Sequence, residues 1–258
     1  MRAAGVHADV LVVTSQVWQT NAVAVRAAGE AFLIDSPVLP AELDALPGLL
    51  ERAGFSVVGL LATHGDWDHL LGRLAFPGTA LGVGETTAAR LRADPGGAQR
   101  QLREFDERFY LTRAPLSLGD WQALPVPGRL EVGPRELELH PADGHTADGL
   151  AAWIGWAEVL VAGDYLSPVE LPGLSPGGSL NGYAATLRRL RPLVEQARAV
   201  VPGHGGVLDR ERALAVLEED LAYLEALRSD GPGAPLPEGR RSAAQRRIHQ
   251  DNARVASR

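Results

Sequence analysis

A layered α/β fold is what this sequence predicts, on two observations. Short apolar or alternating runs bounded by turn residues dominate the first third of the 258 residues, and such runs then alternate with segments of helical spacing. No repeat recurs at a fixed period, and a chain that is 45% hydrophobic at this length can bury one substantial core.

The first three strands are DVLVVTS (9–15), NAVAVRA (21–27) and EAFLIDS (30–36). The segment PAELDALPGLLERAGF (40–55) then carries Leu43, Leu46, Leu49 and Leu50 at helical intervals, with Pro47 placed to bend it and Gly54 suited to its C-cap. Strands VVGLLAT (57–63) and TALGVG (79–84) are followed by helices in TTAARLRAD (86–94) and AQRQLREFDERFY (98–110). RELELHP (135–141), LAAWIGW (150–156) and EVLVAGD (158–164) complete the strands, and NGYAATLRRLRPLVEQA (181–197) and RERALAVLEEDLAYLEALRSDG (210–231) the helices.

Three Pro- and Gly-rich stretches, at 115–129, 167–179 and 229–241, read as long loops. Related chemistry lies on both sides of the first two, so only the third has the makings of a linker. The domain reading is therefore a main domain over 1–230 and a Pro/Gly-rich connection with an arginine-rich tail over 231–258. Residues 240–258 hold six arginines against one acid, which reads as a solvated helix or frayed end, with docking against the body or a partner as the alternative.

Absences exclude several chemistries. The chain has no cysteine, and all 25 of its basic residues are arginines. Without cysteine there is no thiol nucleophile, thiolate zinc cluster, iron–sulfur centre or disulfide framework; without lysine there is no Schiff base or P-loop lysine. A net charge of -7 argues against a nucleic-acid partner. No run approaches the roughly 18 apolar residues of a membrane span, and the opening MRAAGVHADVLVVTSQ lacks the pattern of a signal peptide. A cytoplasmic protein without a membrane partner is the expectation.

Four polar clusters each follow an apolar run directly: THGDWDH (63–69), DGHT (143–146), GDYL (163–166) and PGHGG (202–206). They hold four of the seven histidines. Strand ends in α/β folds are where loops bring distant side chains into one cleft. Neutral imidazoles and carboxylates in short loops, with a coordination position left for water, are what a hydrolytic metal centre needs.

Here the chain resembles the metallo-β-lactamase fold superfamily, whose first metal motif reads His-x-His-x-Asp-His and is followed by separate His, Asp and His ligands. The resemblance covers approximately residues 8 to 225. It implies an αββα sandwich and one or two divalent ions, zinc first. By the same resemblance, His64 and His145 serve metal 1; Asp68, His69 and His204 serve metal 2; and Asp164 bridges them. Its implied activity is hydrolysis of a small-molecule ester, lactone, thioester, amide or phosphoester by a metal-bound hydroxide, with Asp68 orienting that hydroxide and Asp164 setting the separation of the ions. An actual β-lactamase role is disfavoured by the missing export signal. The alternatives are a metal-depleted binding or regulatory protein of the same fold, and a phosphodiesterase.

One position departs from the motif: Asp66 replaces its middle histidine. Three readings stand open: Asp66 coordinates metal 1 and favours a harder ion such as manganese or iron; it orients a water or a histidine from just outside; or metal 1 is weak or missing. The flavodiiron branch, which resembles this chain in having a carboxylate there, needs an attached flavin domain for which this chain has no room. Among the other histidines, His7 and His140 read as structural or exposed, and His249 is open between a site role and a structural one. GLSPG (173–177) fits G-x-S-x-G, but Pro176 follows the serine and has no N–H for an oxyanion hole. GVGETT (82–87) lacks the third glycine of a dinucleotide fingerprint. Trp67, Tyr165, Tyr183 and REFDERFYLTR (103–113) are candidate cleft walls, each equally consistent with ordinary packing.

Overall fold

The computed structural model describes residues 1–256, in two compact units that divide between His140 and Pro141. The first unit is built on seven strands in sequence order: β1 (Arg2–His7), β2 (Val10–Thr14), β3 (Asn21–Ala27), β4 (Glu30–Ile34), β5 (Val57–Ala62), β6 (Ala80–Gly84) and β7 (Trp121–Leu124). Strands β1 to β4 form an antiparallel meander, and β4 to β7 run parallel. Parallel neighbours require crossovers. Helix α1 (Pro40–Arg52) makes the first, the short α2 (Gly72–Ala75) lies in the second, and α3 (Glu85–Ala93) and α4 (Gly97–Phe109) make the third.

Helix α1 starts at Pro40, runs through Pro47, and ends before Gly54, which takes the left-handed φ of +80° that an L side chain resists. Its buried Leu43, Leu46 and Leu50 pack with Leu33, Leu60 and Val83 of the sheet and with Ala88, Leu91 and Leu102 of α3 and α4. Each such leucine contributes about 1.5–3 kcal/mol by leaving water. Val12, Val23, Val25, Ile34 and Leu61, on the alternate positions of the same strands, are buried as well. Both faces of β2 to β5 are therefore covered, as the near-continuous apolar runs require. The unit closes with the hairpin β8 (Gly128–Val132) and β9 (Arg135–Pro141), turned at Gly133 and Pro134.

In the second unit β10 (Leu150–Ile154) pairs antiparallel with β11 (Val159–Val161), which pairs parallel with β12 (Ala199–Val201). Helix α5 (Leu180–Gln196) is the crossover between β11 and β12, capped by Ser179, whose Oγ accepts from Gly182 N. Helix α6 (Arg210–Asp230) is capped likewise by Asp209, which accepts from Arg212 N. Their apolar stripes, Leu187, Leu190 and Val194 on α5 and Val216, Leu217 and Leu224 on α6, share a core with Leu160 and Val200.

The arginine-rich end forms α7 (Ala243–Ala256); its last two residues, 257 and 258, lie outside the described ones. Helix α7 is no free helix, since Gln245, His249, Asn252 and Ala253 are buried. Ahead of it, Arg240 is fully buried, donating to Asp220, to Glu219 at 3.0 Å, and to the carbonyls of Ser167 and Glu170 at 3.2 and 2.9 Å.

Four strands escape the sequence reading. The residues of β7 and the start of β8 fall inside the 115–129 stretch read as a loop, because Pro125 and Pro127 mask the pattern on either side. Strand β1 is mostly exposed and so shows no alternation, and β12 is three residues long. Among the described residues no helix is long and apolar enough to cross a membrane.

Candidate metal centre

In the first unit the ligand candidates sit where parallel strands end. Ile34 of β4 pairs in register with Leu61 of β5, so Asp35 and, one position further along, Thr63 emerge at the same end of the sheet. Asp35 takes a left-handed φ of +59° and is buried; its Oδ1 accepts from Thr63 N at 2.8 Å and its Oδ2 from Thr63 Oγ1 at 2.8 Å. The same Oδ2 lies 2.9 Å from His69 Nδ1, and Thr63 Oγ1 lies 3.1 Å from His64 Nδ1. An ionised carboxylate only accepts, so it assigns the His69 proton to Nδ1 and leaves the Nε2 lone pair for another partner. Ser36 Oγ donates to the carbonyl of Asp68 at 3.1 Å and holds the single 3₁₀ turn, Trp67–His69, that carries the rest of the motif.

The two Nε2 atoms face carboxylates: His64 Nε2 is 3.7 Å from Asp66 Oδ2, and His69 Nε2 is 3.7 Å from Asp68 Oδ2. Asp66 Oδ1 meanwhile accepts a 2.6 Å bond from Arg90 Nη2 on α3. Trp67 turns the other way, onto Trp18 and Phe105, with ring centroids 5.8 and 4.8 Å apart. The segment 103–113 lines a pocket of about 870 Å³ with Leu102 and Leu116.

In the second unit Val161 of β11 and Val201 of β12 are in register, and three residues beyond each come Asp164 and His204. Asp164 Oδ1 lies 3.4 Å from His204 Nε2, and its Oδ2 lies 3.3 Å from His145 Nε2. Gly203 leaves the room: a Cβ there would stand 2.1 Å from Asp164 Oδ1. His145 donates its backbone N–H to Tyr165 Oη at 2.9 Å, and its Nδ1 lies 2.7 Å from the carbonyl of Gly173. That carbonyl accepts only, so here too the proton sits on Nδ1 and the Nε2 lone pair faces Asp164. Tyr183 Oη donates to the carbonyl of Asp164 at 2.8 Å. Burial pushes both phenols well above their usual range, so they serve as neutral hydrogen-bonding groups. Tyr165 and Tyr183 pack in the core with ring centroids 4.4 Å apart and planes tilted by 41°; they support the loops and form no cleft wall.

The donor set fits a divalent ion. All four Nε2–carboxylate separations, at 3.3–3.7 Å, exceed an ordinary hydrogen bond. Two ligand atoms each about 2.0–2.1 Å from one tetrahedral ion lie roughly 3.4 Å apart, so these are separations expected of ligands around a common ion. The sequence-predicted residues thus fall into two sets: His64, Asp66, Asp68 and His69 in the first unit, and His145, Asp164 and His204 in the second. His7 Nδ1 accepts from Asp9 N, and His140 Nε2 lies 3.5 Å from Glu138, both away from the ligand loops. His249 is structural: its nitrogens lie 3.1 Å from Tyr223 Oη and 3.0 Å from the Pro232 carbonyl.

Asp35, Arg90 and Gly173 were missed. Asp35 follows the apolar run of β4 as the four clusters follow theirs, so a signal for it was there to read. Arg90 had none, being one arginine among many on a helix.

Imidazole nitrogens and carboxylates at strand ends, with His64, His69 and His145 each oriented through the second ring nitrogen, define a candidate divalent-metal protein of the α/β class. The chain belongs to the metallo-beta-lactamase superfamily, whose sequence profile matches residues 15–204. The metallo-beta-lactamase type 2 of Pseudomonas aeruginosa is 21% identical over 175 residues, 68% of this chain and 63% of that protein. That of Bacillus sp. (strain 170) is 27% identical over 104 residues, 39% of each chain. The matches span less than two thirds of either relative's length. Among solved structures, a metallo-beta-lactamase family protein from Thermus thermophilus has a TM-score of 0.71 at 21% identity, covering 98% of this chain and 93% of that one. The metallo-beta-lactamase from Pontibacter korlensis has a TM-score of 0.63 at 19% identity, covering 84% and 98%. The fold class is that of the superfamily, the α/β sandwich of αββα type. Membership supports divalent-metal binding and metal-dependent hydrolysis in general.

Proposed function

We propose that this protein is a metal-dependent hydrolase of a small ester, lactone, thioester, amide or phosphoester that works with a dinuclear metal centre. The repeated 3.3–3.7 Å spacing of imidazole nitrogen and carboxylate oxygen carries this reading. In it His64 and Asp66 and, by the family resemblance, His145 would hold metal 1; Asp68 and His69 and, by the same resemblance, His204 would hold metal 2; and Asp164 would be shared by both. A bound divalent ion would lower the pKa of a coordinated water far below its bulk value, to about 7, and would polarise the electrophile's oxygen. The chain's own groups supply orientation: Asp35, with Thr63, fixes the His69 ring, the Gly173 carbonyl and Tyr165 fix His145, and Asp68 directs the nucleophile. Zinc suits the imidazoles, while the oxygen of Asp66 admits manganese or iron.

The test is metal analysis of the purified protein with a panel of ester, lactone, thioester, amide and phosphodiester substrates. Two equivalents of metal per chain, with hydrolysis lost to a chelator and restored by metal, is the expected result. Less than one equivalent, and no turnover with zinc, manganese or iron supplied, overturns the reading.

A further inference from the structure

We infer that Arg90 and Asp66 together act as a surrogate for the missing histidine, with Arg90 as a positioning residue that makes Asp66 present one oxygen and no net charge. The inference rests on the reading of Asp66 as a ligand of metal 1. A histidine at this place would bring one neutral nitrogen donor. A bare aspartate brings two oxygens and a full negative charge, a donor that invites bidentate binding and a harder ion.

The geometry cancels both differences. Arg90 Nη2 donates to Asp66 Oδ1 at 2.6 Å, within the range of a charge-assisted bond, which commits that oxygen to the guanidinium. The other oxygen, Oδ2, is the one 3.7 Å from His64 Nε2. Asp68 Oδ2 stands at the same distance from His69 Nε2, so neighbouring carboxylates of one motif are set alike towards neighbouring imidazoles. Arginine stays protonated at any working pH, so it offsets the charge of the Asp66 carboxylate. The side chains are 27% and 20% exposed, too sheltered for an ordinary surface ion pair. Arg90 is also placed by a packed helix: Thr87, Ala88 and Leu91 of α3 are buried around it.

The consequence is a restraint on metal choice. With Oδ1 held by Arg90, Asp66 favours the low coordination number that suits zinc; released, it can chelate through both oxygens, which favours manganese. The test is chelator competition for zinc and manganese, with the visible spectrum of the cobalt(II)-loaded protein as a measure of coordination number. The variants are Arg90→Met, Asp66→His, Asp66→Ala and the double variant Arg90→Met with Asp66→His. Arg90→Met is expected to shift zinc-over-manganese selectivity towards manganese by about tenfold and to weaken the intense cobalt bands of a four-coordinate site. In the Asp66→His background the same change is expected to leave selectivity within about twofold, because an imidazole needs no such restraint.

If Asp66→Ala costs one equivalent of metal while Arg90→Met alters neither selectivity nor spectrum, the surrogate inference fails and the ligand reading survives. If Asp66→Ala leaves metal content and preference unchanged, the ligand reading fails first. Equal losses for both metals in Arg90→Met, with the cobalt spectrum intact, would show a purely structural arginine and also overturn the inference.

Discussion

Replacing Asp35 by asparagine keeps the size of the side chain and changes one thing, the ability of both oxygens to accept. The carboxylate accepts from Thr63 N and Thr63 Oγ1 and lies 2.9 Å from His69 Nδ1. In Asp35→Asn the carbonyl oxygen stays opposite the Thr63 amide, whose N–H cannot turn round, so the new NH₂ faces Thr63 Oγ1 and His69 Nδ1. The threonine hydroxyl can rotate and accept instead. The imidazole adapts only by moving its proton to Nε2, which blocks the lone pair proposed to bind metal.

Forcing the proton back leaves two donors face to face in a buried site, at about 1–3 kcal/mol, or roughly 5- to 150-fold in affinity. Loss of a partner behind a metal-binding histidine falls in the same range, typically 10- to 100-fold. We therefore expect Asp35→Asn to weaken one of the two metal equivalents by about 10- to 100-fold in chelator competition. The metal-free protein should lose only about 1 kcal/mol in urea unfolding, since most of the contacts are re-made. Metal affinity within about threefold of wild type would refute the assignment of Asp35 as the group that sets the His69 tautomer.

Arg240→Met leaves Asp220 buried without its guanidinium and is expected to cost about 3–5 kcal/mol in urea unfolding, most of it recovered when Asp220→Leu is added. Glu42 predicts a pH dependence: burial opposes its ionisation, but bonds from Ser15 Oγ, Gln16 N and Leu39 N outweigh it and hold its pKa below the usual 4.5. A carboxyl lowered in the folded state contributes stability above its unfolded pKa and loses it as pH falls through the folded value. Glu42→Gln should therefore cost about 1.5–3 kcal/mol at pH 7, with the gap to wild type closing as the pH drops below about 4.5; a constant gap would contradict this.

What could be read ahead of the structure follows from where the physics is local. Strands β2 to β6, β10 and β11 were legible because a buried strand is largely apolar along its length, β9 because its apolar residues alternate with polar ones, and helices α1, α5 and α6 because their leucines recur at helical intervals. Strand β1 carries that signal poorly, since its first residues face water, and three-residue β12 is too short for any period.

The ligand candidates were visible because polar residues that interrupt a strand at its end are conspicuous in one dimension. Their supports were hidden because each is fixed by tertiary placement. Arg90 reaches Asp66 from a helix beyond the next strand, and the Gly173 carbonyl reaches His145 from a loop that by composition promises nothing but flexibility. The end of the chain stayed open between solvation and docking for a related reason: its arginines look solvated until Arg240 is seen to have four acceptors around it.

Helix α7 bears on the order in which the protein becomes competent. Asn252 accepts from Leu174 N at 2.9 Å and donates to the Pro172 carbonyl at 2.6 Å, gripping the loop on both sides of Gly173, the residue that orients His145. Gln245 takes Leu171 N in the same way at 2.7 Å. During synthesis, then, the histidine proposed for metal 1 is made well before the helix that steadies its support. The Gly173 carbonyl behind His145 therefore owes its placement to Asn252, a residue 78 positions beyond Leu174 in the chain.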